Sequence, residues 1–228
     1  MRLLFFKDFF DLIFPRTCDL CGRNLFDFES CLCKICIGTL PRTLYHAMPS
    51  ENDLTQKIKG IANVGMAMSF LRFTKNGKSQ KILHCLKYRN KPKLGIQLGE
   101  LYSNQLNEVD LTNNWDVIVP VPLHPIKKYR RGYNQSEEFA KGLSHGLQLP
   151  IEEMLERKKF TETQTKKTRI QRMENVDEVF ALIRPTDGRR ILLVDDVMTT
   201  GATLCSCANV LLANGAKTVD LITIAAGK

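Results

Sequence analysis

Two rhythms of apolar and polar positions alternate along most of this chain. "NVGMAMSFLRF" predicts a strand, "GKSQKILHCLKYR" a helix ending in basic residues, and "KLGIQLGELYSNQL" a second helix. "WDVIVPVPL" (115–123) is a continuous apolar run stopped by prolines, the pattern of a strand buried on both faces. "NQSEEFAKGLSHGL" predicts a helix capped by Asn134 or Ser136. "RRILLVDD" is another buried strand, "GATLCSCANVLLANGA" a helix, and "KTVDLITIAA" a last strand. Strand and helix in turn imply a parallel sheet flanked by helices, an α/β fold whose ligands sit at the carboxyl ends of the strands. The polar stretch from Thr161 to Asn175 has weak periodicity and reads as a mobile loop.

The first 50 residues have a different texture and are expected to form a small unit of their own, with residues 51–228 as the main domain. "MRLLFFKDFFDLIFP" places Leu3, Leu4, Phe6, Phe10 and Phe14 on one face of a helix. Lys7, Asp8 and Asp11 interrupt it, no small-residue cleavage site follows, and it falls short of the roughly 20 apolar residues a bilayer requires. A docked helix, no membrane span and a cytoplasmic location are expected. Across 228 residues, Lys and Arg outnumber Asp and Glu by 33 to 24, a net +9 that favours polyanionic partners.

Of eight cysteines, five crowd into residues 18 to 36. Without a secretory signal, metal is a better explanation than a disulfide framework. Cys18/Cys21 and Cys33/Cys36 are two Cys-x-x-Cys pairs eleven residues apart. Each pair presents two thiolates from a tight knuckle, and two knuckles complete a tetrahedral four-sulfur site that suits structural Zn2+. Cys31 is a fifth nearby thiol that could replace Cys33, but only Cys33 completes the two-residue spacing. Four protein ligands leave no open position for a reacting water, so the metal is expected to be structural.

"ILLVDDVMTTGATL" (191–204) runs from a buried strand into paired acids and then a Thr/Gly/Ala loop before a helix. Backbone N–H groups in such a turn, the helix dipole and the hydroxyls of Thr199, Thr200 and Thr203 make a socket for a phosphomonoester. Asp195 and Asp196 would face hydroxyl donors or a Mg2+ shell. Phosphate on one side and a diol on the other describe a ribose 5-phosphate.

That stretch resembles the 5-phosphoribosyl 1-pyrophosphate (PRPP) signature of the type I phosphoribosyltransferases. Together with "FPRTCDLCGRNL", "LCKICIGTLP", "LKYRNK", "VPVPLHPIKKYRRGYNQS" and "ERKKFTETQTKKTRIQRMENVDEVFAL", it resembles the ComF competence-protein family over nearly the whole chain. The resemblance implies a type I phosphoribosyltransferase fold with an N-terminal zinc-knuckle module of four cysteines. It implies that Asp195 and Asp196 bind the ribose hydroxyls, directly or through Mg2+, and that Thr199, Thr200, Gly201, Ala202 and Thr203 hold the 5-phosphate. Leu123, His124 and Pro125 occupy the place of the pyrophosphate loop, and Thr161–Asn175 that of the loop closing over the site. It also implies cytoplasmic handling of incoming single-stranded DNA beside helicase-like and recombination proteins.

"KKYRRGY" gathers Lys127, Lys128, Arg130 and Arg131 around Tyr129 and Tyr133, while Arg157 to Arg172 holds seven basic residues against one acid, Glu162. Both segments are expected near the carboxyl edge of the sheet, with Lys87 and Arg89 as weaker candidates for anion contact. There Lys166, Lys167, Arg169 and Arg172 would join them in contacting pyrophosphate or the phosphates of a single strand, with tyrosines under the bases. A solvated basic face competes with that reading at each position, and for His124 so does a structural hydrogen bond. Two functions fit: a PRPP-binding component of DNA uptake, or an active transferase moving ribose 5-phosphate from PRPP to a base or amine. Purine salvage enzymes that act on hypoxanthine and guanine usually carry an acid where this loop has Thr199, which argues against that substrate class.

Overall fold

The computed structural model describes residues 15–158 and 179–227. The expected amino-terminal helix, the expected loop Thr161–Asn175, and with it Lys166, Lys167, Arg169 and Arg172, lie outside the described residues. In chain order the described helices and strands are α1 (Lys34–Gly38), α2 (Asp53–Ile58), β1 (Ala67–Arg72), α3 (Lys78–Tyr88), α4 (Pro92–Glu108) and β2 (Val117–Pro120). There follow α5 (Pro125–Arg131), α6 (Gln135–Leu147), β3 (Leu155–Arg157), β4 (Phe180–Leu182), β5 (Arg190–Met198), α7 (Ala202–Ala213) and β6 (Thr218–Ala226). Strands β1, β6, β5 and β2 form one parallel sheet in that order, and β3 and β4 form a separate antiparallel pair. The apolar–polar rhythm foretold the four parallel strands, but neither the β3–β4 pair nor α2. Both are too short for periodicity to register. Nor did it foretell α5, which His124 and Pro125 open by cap and fixed φ after β2 has ended.

Successive strand side chains point to opposite faces, so the sheet carries an apolar cluster on each side. Leu192, Val194, Ile118 and Ile222 pack with α3, α4 and α6, whereas Ile191, Leu193, Val117 and Leu221 pack with α2, α7 and the β3–β4 pair. The four-cysteine module does not keep a core to itself. Cys18, Leu32, Cys33 and Cys36 are buried in the same cluster as α3 and α4. Gln97 Oε1 accepts the backbone N–H groups of Cys31 (3.2 Å) and Leu32 (3.0 Å), and Lys91 Nζ lies 2.9 Å from Asp19 Oδ1. No described helix is long and apolar enough to cross a membrane.

Candidate ribose-phosphate site and the four-cysteine centre

At the carboxyl end of β5 the apolar run gives way to Asp195 and Asp196, half-buried and buried respectively. Alternation sends the two side chains to opposite sides of the strand, and each meets a different partner. Ser136 Oγ donates to Asp195 Oδ1 at 2.8 Å, and the Asp196 N–H donates to the same oxygen at 2.8 Å. Asp196 Oδ2 pairs with Lys87 Nζ at 2.9 Å. Ser136 is free for this contact because Asn134, not Ser136, caps α6: the Asn134 side chain accepts the Ser136 N–H at 3.2 Å. Desolvation, followed by the adjacent Asp196 charge, pushes the Asp195 carboxyl well above the usual carboxylate range, against the pull of those donors and of Lys87. A carboxylate held in that condition gains from hydroxyl donors or a cation brought in by a ligand.

The loop after β5 turns through Gly201, whose φ of +81° is the left-handed region, and enters α7 with no side-chain cap. The Ala202 N–H donates to Thr200 Oγ1 at 3.4 Å, and no cap side chain takes up the N–H groups that follow it in the first turn, an arrangement suited to an anion. Thr199, Thr200, Ala202 and Thr203 are all exposed around it, whereas Gly201 is buried. A Cβ on Gly201 would come 2.6 Å from Ile58 Cγ2, so glycine serves both the turn and the approach of α2. From α2, Lys57 Nζ donates to the carbonyl oxygens of Thr199 (3.2 Å) and Gly227 (2.9 Å). Neither Lys57 nor Ser136 was foreseen as part of this site. Both are distant in sequence, and no local signal marks them.

Leu123, His124 and Pro125 form the turn from β2 into α5. The His124 side chain is occupied in capping that helix, Nδ1 accepting the Ile126 N–H at 3.3 Å. Of the basic cluster, Lys87, Lys127, Arg130 and Arg131 come together around one cavity, discussed below. Lys128 instead lies 3.7 Å from Glu137 and 3.6 Å from Glu153, and Arg89 is the exposed C-cap of α3. Tyr129 is 90% exposed. Tyr133 also lines that cavity, but it is 8% exposed and its hydroxyl donates to the Leu86 carbonyl, so little of its ring is open to a base. Tyr88, not singled out in the sequence, lines the same cavity and is 70% exposed.

The sulfurs of Cys18, Cys21, Cys33 and Cys36 all lie within 4.8 Å of one another. Cys21 Sγ to Cys33 Sγ is 3.8 Å, the edge of a tetrahedron with metal–sulfur bonds of about 2.3 Å. Burial opposes ionisation of Cys33, yet its hydrogen bonds, led by the Cys36 N–H, hold its thiol at about 7. The donor set and spacing fit a structural metal. Cys31 lies outside the four-sulfur group, and Gly22, with a φ of +75°, makes the first knuckle turn.

Residues 86–228 match a family model described as phosphoribosyl transferase domain. The chain is 30% identical over 213 residues, 90% of its length and 87% of the relative's, to a protein of Escherichia coli O157:H7 named DNA utilization protein YhgH. It is similar to competence protein F of Haemophilus influenzae, 34% identical over 110 residues, which are 46% of this chain and 48% of the relative. It is also similar to competence protein ComFC of Bacillus subtilis, 28% identical over 143 residues, 63% of this chain and 57% of the relative.

Proposed function

We propose, for a chain that belongs to the phosphoribosyltransferase family in its ComF competence-protein branch, that it binds PRPP and handles single-stranded DNA in the cytoplasm during DNA uptake. The observation that carries this reading is the juxtaposition at the end of β5. An acid pair stands beside the open amino terminus of α7, with Gly201 making the turn between them. Asp195 and Asp196 take the ribose hydroxyls, and Thr199 to Thr203 with the first N–H groups of α7 take the 5-phosphate. The turn Leu123–Pro125 faces the pyrophosphate. Lys57 positions the loop by anchoring the Thr199 carbonyl, and its ammonium adds positive potential for the phosphate. The oxygen ligands of the acid pair suit Mg2+, which would neutralise the pyrophosphate charge when PRPP is bound. Names of relatives that refer to DNA utilization and competence support the biological setting. The +9 charge and the exposed Tyr88 and Tyr129 support a strand as the polyanion.

Calorimetric titration of PRPP with Mg2+ against wild type and the Asp195→Asn/Asp196→Asn variant tests the ligand. The wild type is expected to bind, and the variant to lose at least about tenfold in affinity, since each Asn keeps one acceptor but loses the charge. Absence of binding to either protein would mean that the ligand is wrong. For the strand, anisotropy with labelled single-stranded DNA at two salt concentrations should show binding that weakens as salt rises. No affinity at the lower salt, or affinity indifferent to salt, contradicts that half of the reading.

A further inference from the structure

The end of α3 and the face of α5 enclose a cavity of about 470 Å³ that is separate from the α7 loop. Lys87 and Tyr88 line it from α3, and Lys127, Arg130 and Arg131 from α5. No carboxylate is among its lining residues. The Arg131 guanidinium lies 5.9 Å from the centre of the Tyr88 ring and donates to the neutral Gln135 Oε1 at 2.6 Å. Among the described residues, the one acid paired with a lining cation is Asp196, which holds Lys87 at 2.9 Å. Lys87 therefore belongs to two sites at once. Its ammonium neutralises the acid pair on one side and is one of four cations of the cavity on the other.

We propose that this cavity binds a run of consecutive phosphates, and that its occupancy is linked to the state of the acid pair through the shared Lys87. Four cations with a single paired acid among them carry a self-repulsion that a bound anion relieves, and the planar forks of Arg130 and Arg131 suit phosphate oxygens. The exposed Tyr88 ring beside them suits a base attached to one of those phosphates. While Asp196 is ionised and otherwise unpaired, drawing Lys87 toward an anion uncovers a carboxylate next to Asp195, which costs affinity in the cavity. Whatever satisfies Asp196 releases Lys87 and strengthens the cavity. The linkage is reciprocal. The chemistry is shared by a phosphodiester strand and a free oligophosphate. The identification of the strand rests on the DNA reading above, whereas the cavity and its linkage do not.

The test measures affinities of inorganic tripolyphosphate and of a twelve-residue oligothymidylate, without PRPP or Mg2+, for the full chain and its variants. Lys127→Ala and Arg130→Ala, both at exposed positions, are expected to weaken both probes. Each should also reduce the salt slope for the oligonucleotide by about 0.7. Asp196→Asn should tighten both probes by roughly fivefold in the wild-type background, and far less in a Lys87→Met background, which is the signature of a coupled pair. Thermal melts check that each variant is folded. Tripolyphosphate bound in this pattern without the oligonucleotide would support the cavity and its linkage while refuting the strand. Tripolyphosphate affinity indifferent to Lys127→Ala and Arg130→Ala would overturn the cavity, as would binding of neither probe, and oligonucleotide affinity indifferent to both would overturn the strand as its occupant. An equal effect of Asp196→Asn with and without Lys87 would overturn the linkage.

Discussion

Chelating the metal from the Cys18, Cys21, Cys33 and Cys36 cluster should melt the protein well beyond its amino-terminal module. A structural Zn2+ contributes an apparent binding energy of about 10 kcal/mol or more at neutral pH, comparable to the whole stability of an ordinary domain. Residues 15 to 40 contain one short helix, α1, and are otherwise ordered by local contacts such as the Thr17–Asn24 bridge and the Glu29 carboxylate, which accepts from Arg23 and from the Phe26 and Lys34 N–H groups. What they bury, they bury against α3 and α4: Leu32, Cys33 and Cys36 share one apolar cluster with Leu86, Leu94 and Leu98. Loss of the metal leaves four close sulfurs with no common charge to face. It also loosens the backbone that Gln97 and Lys91 hold. Thermal melting of the purified full chain with and without a strong chelator should show a lowered transition. Metal analysis of Cys18→Ser/Cys33→Ser should show less than about a tenth of wild-type zinc, since two of four ligands are gone. Unchanged zinc in that variant refutes the ligand set, and an unchanged melt after complete metal removal refutes the structural role.

The second large effect is expected at Gly142, where replacement by alanine should destabilise the protein although alanine is the better helix former. Helices α4 and α6 approach so closely that their glycines face one another's backbones. A Cβ at Gly142 would strike the Ile96 carbonyl oxygen and lie 2.8 Å from both the Glu100 nitrogen and the Gly99 Cα. A Cβ at Gly99 would lie 2.7 Å from the Leu143 nitrogen. Atoms of the backbone cannot swing aside, so the helices must separate. The gain of about 1 kcal/mol in propensity is outweighed by an overpacking cost of about 3 kcal/mol or more. In a chain of this size each kcal/mol moves the midpoint by roughly 2–4 °C, so a fall of several degrees is expected in a thermal melt. Because α6 carries Ser136 to Asp195, PRPP affinity should fall with it. A melting temperature equal to or above wild type would show that the α4–α6 contact is looser than described.

Gly142 also marks a boundary in what can be read without coordinates. As sequence, a glycine within "NQSEEFAKGLSHGL" only weakens the helix, and its value appears only when a second helix is seen lying on it. The same holds around the acid pair. The strand-to-acid-to-loop progression at 191–204 was legible as a candidate ribose-phosphate site because its parts are contiguous. The two Cys-x-x-Cys pairs exposed the four-sulfur cluster because ligand spacing is a local property. The basic residues of "KKYRRGY" were visible as charge, but not how they divide. Arg130 and Arg131 face the cavity, whereas Lys128 is held by Glu137 and Glu153, and the same stretch buries Tyr133.

By itself, the sequence determined the four parallel strands and the longer helices between them, the acid pair, the Thr/Gly/Ala loop after it and the spacing of the four cysteines. Each of these is written in periodicity or spacing over a dozen or so neighbouring residues. Only the tertiary structure decided that Lys57 anchors the loop, that Ser136 rather than a cap residue reaches Asp195, and that Lys87 stands between Asp196 and the basic cavity. It also decided that the four-cysteine module shares the core of the main domain. These pairings link residues dozens to well over a hundred positions apart. They exist because the order β1-β6-β5-β2 brings the ends of distant strands and helices to one edge of the sheet, where polar side chains must find partners as they are buried.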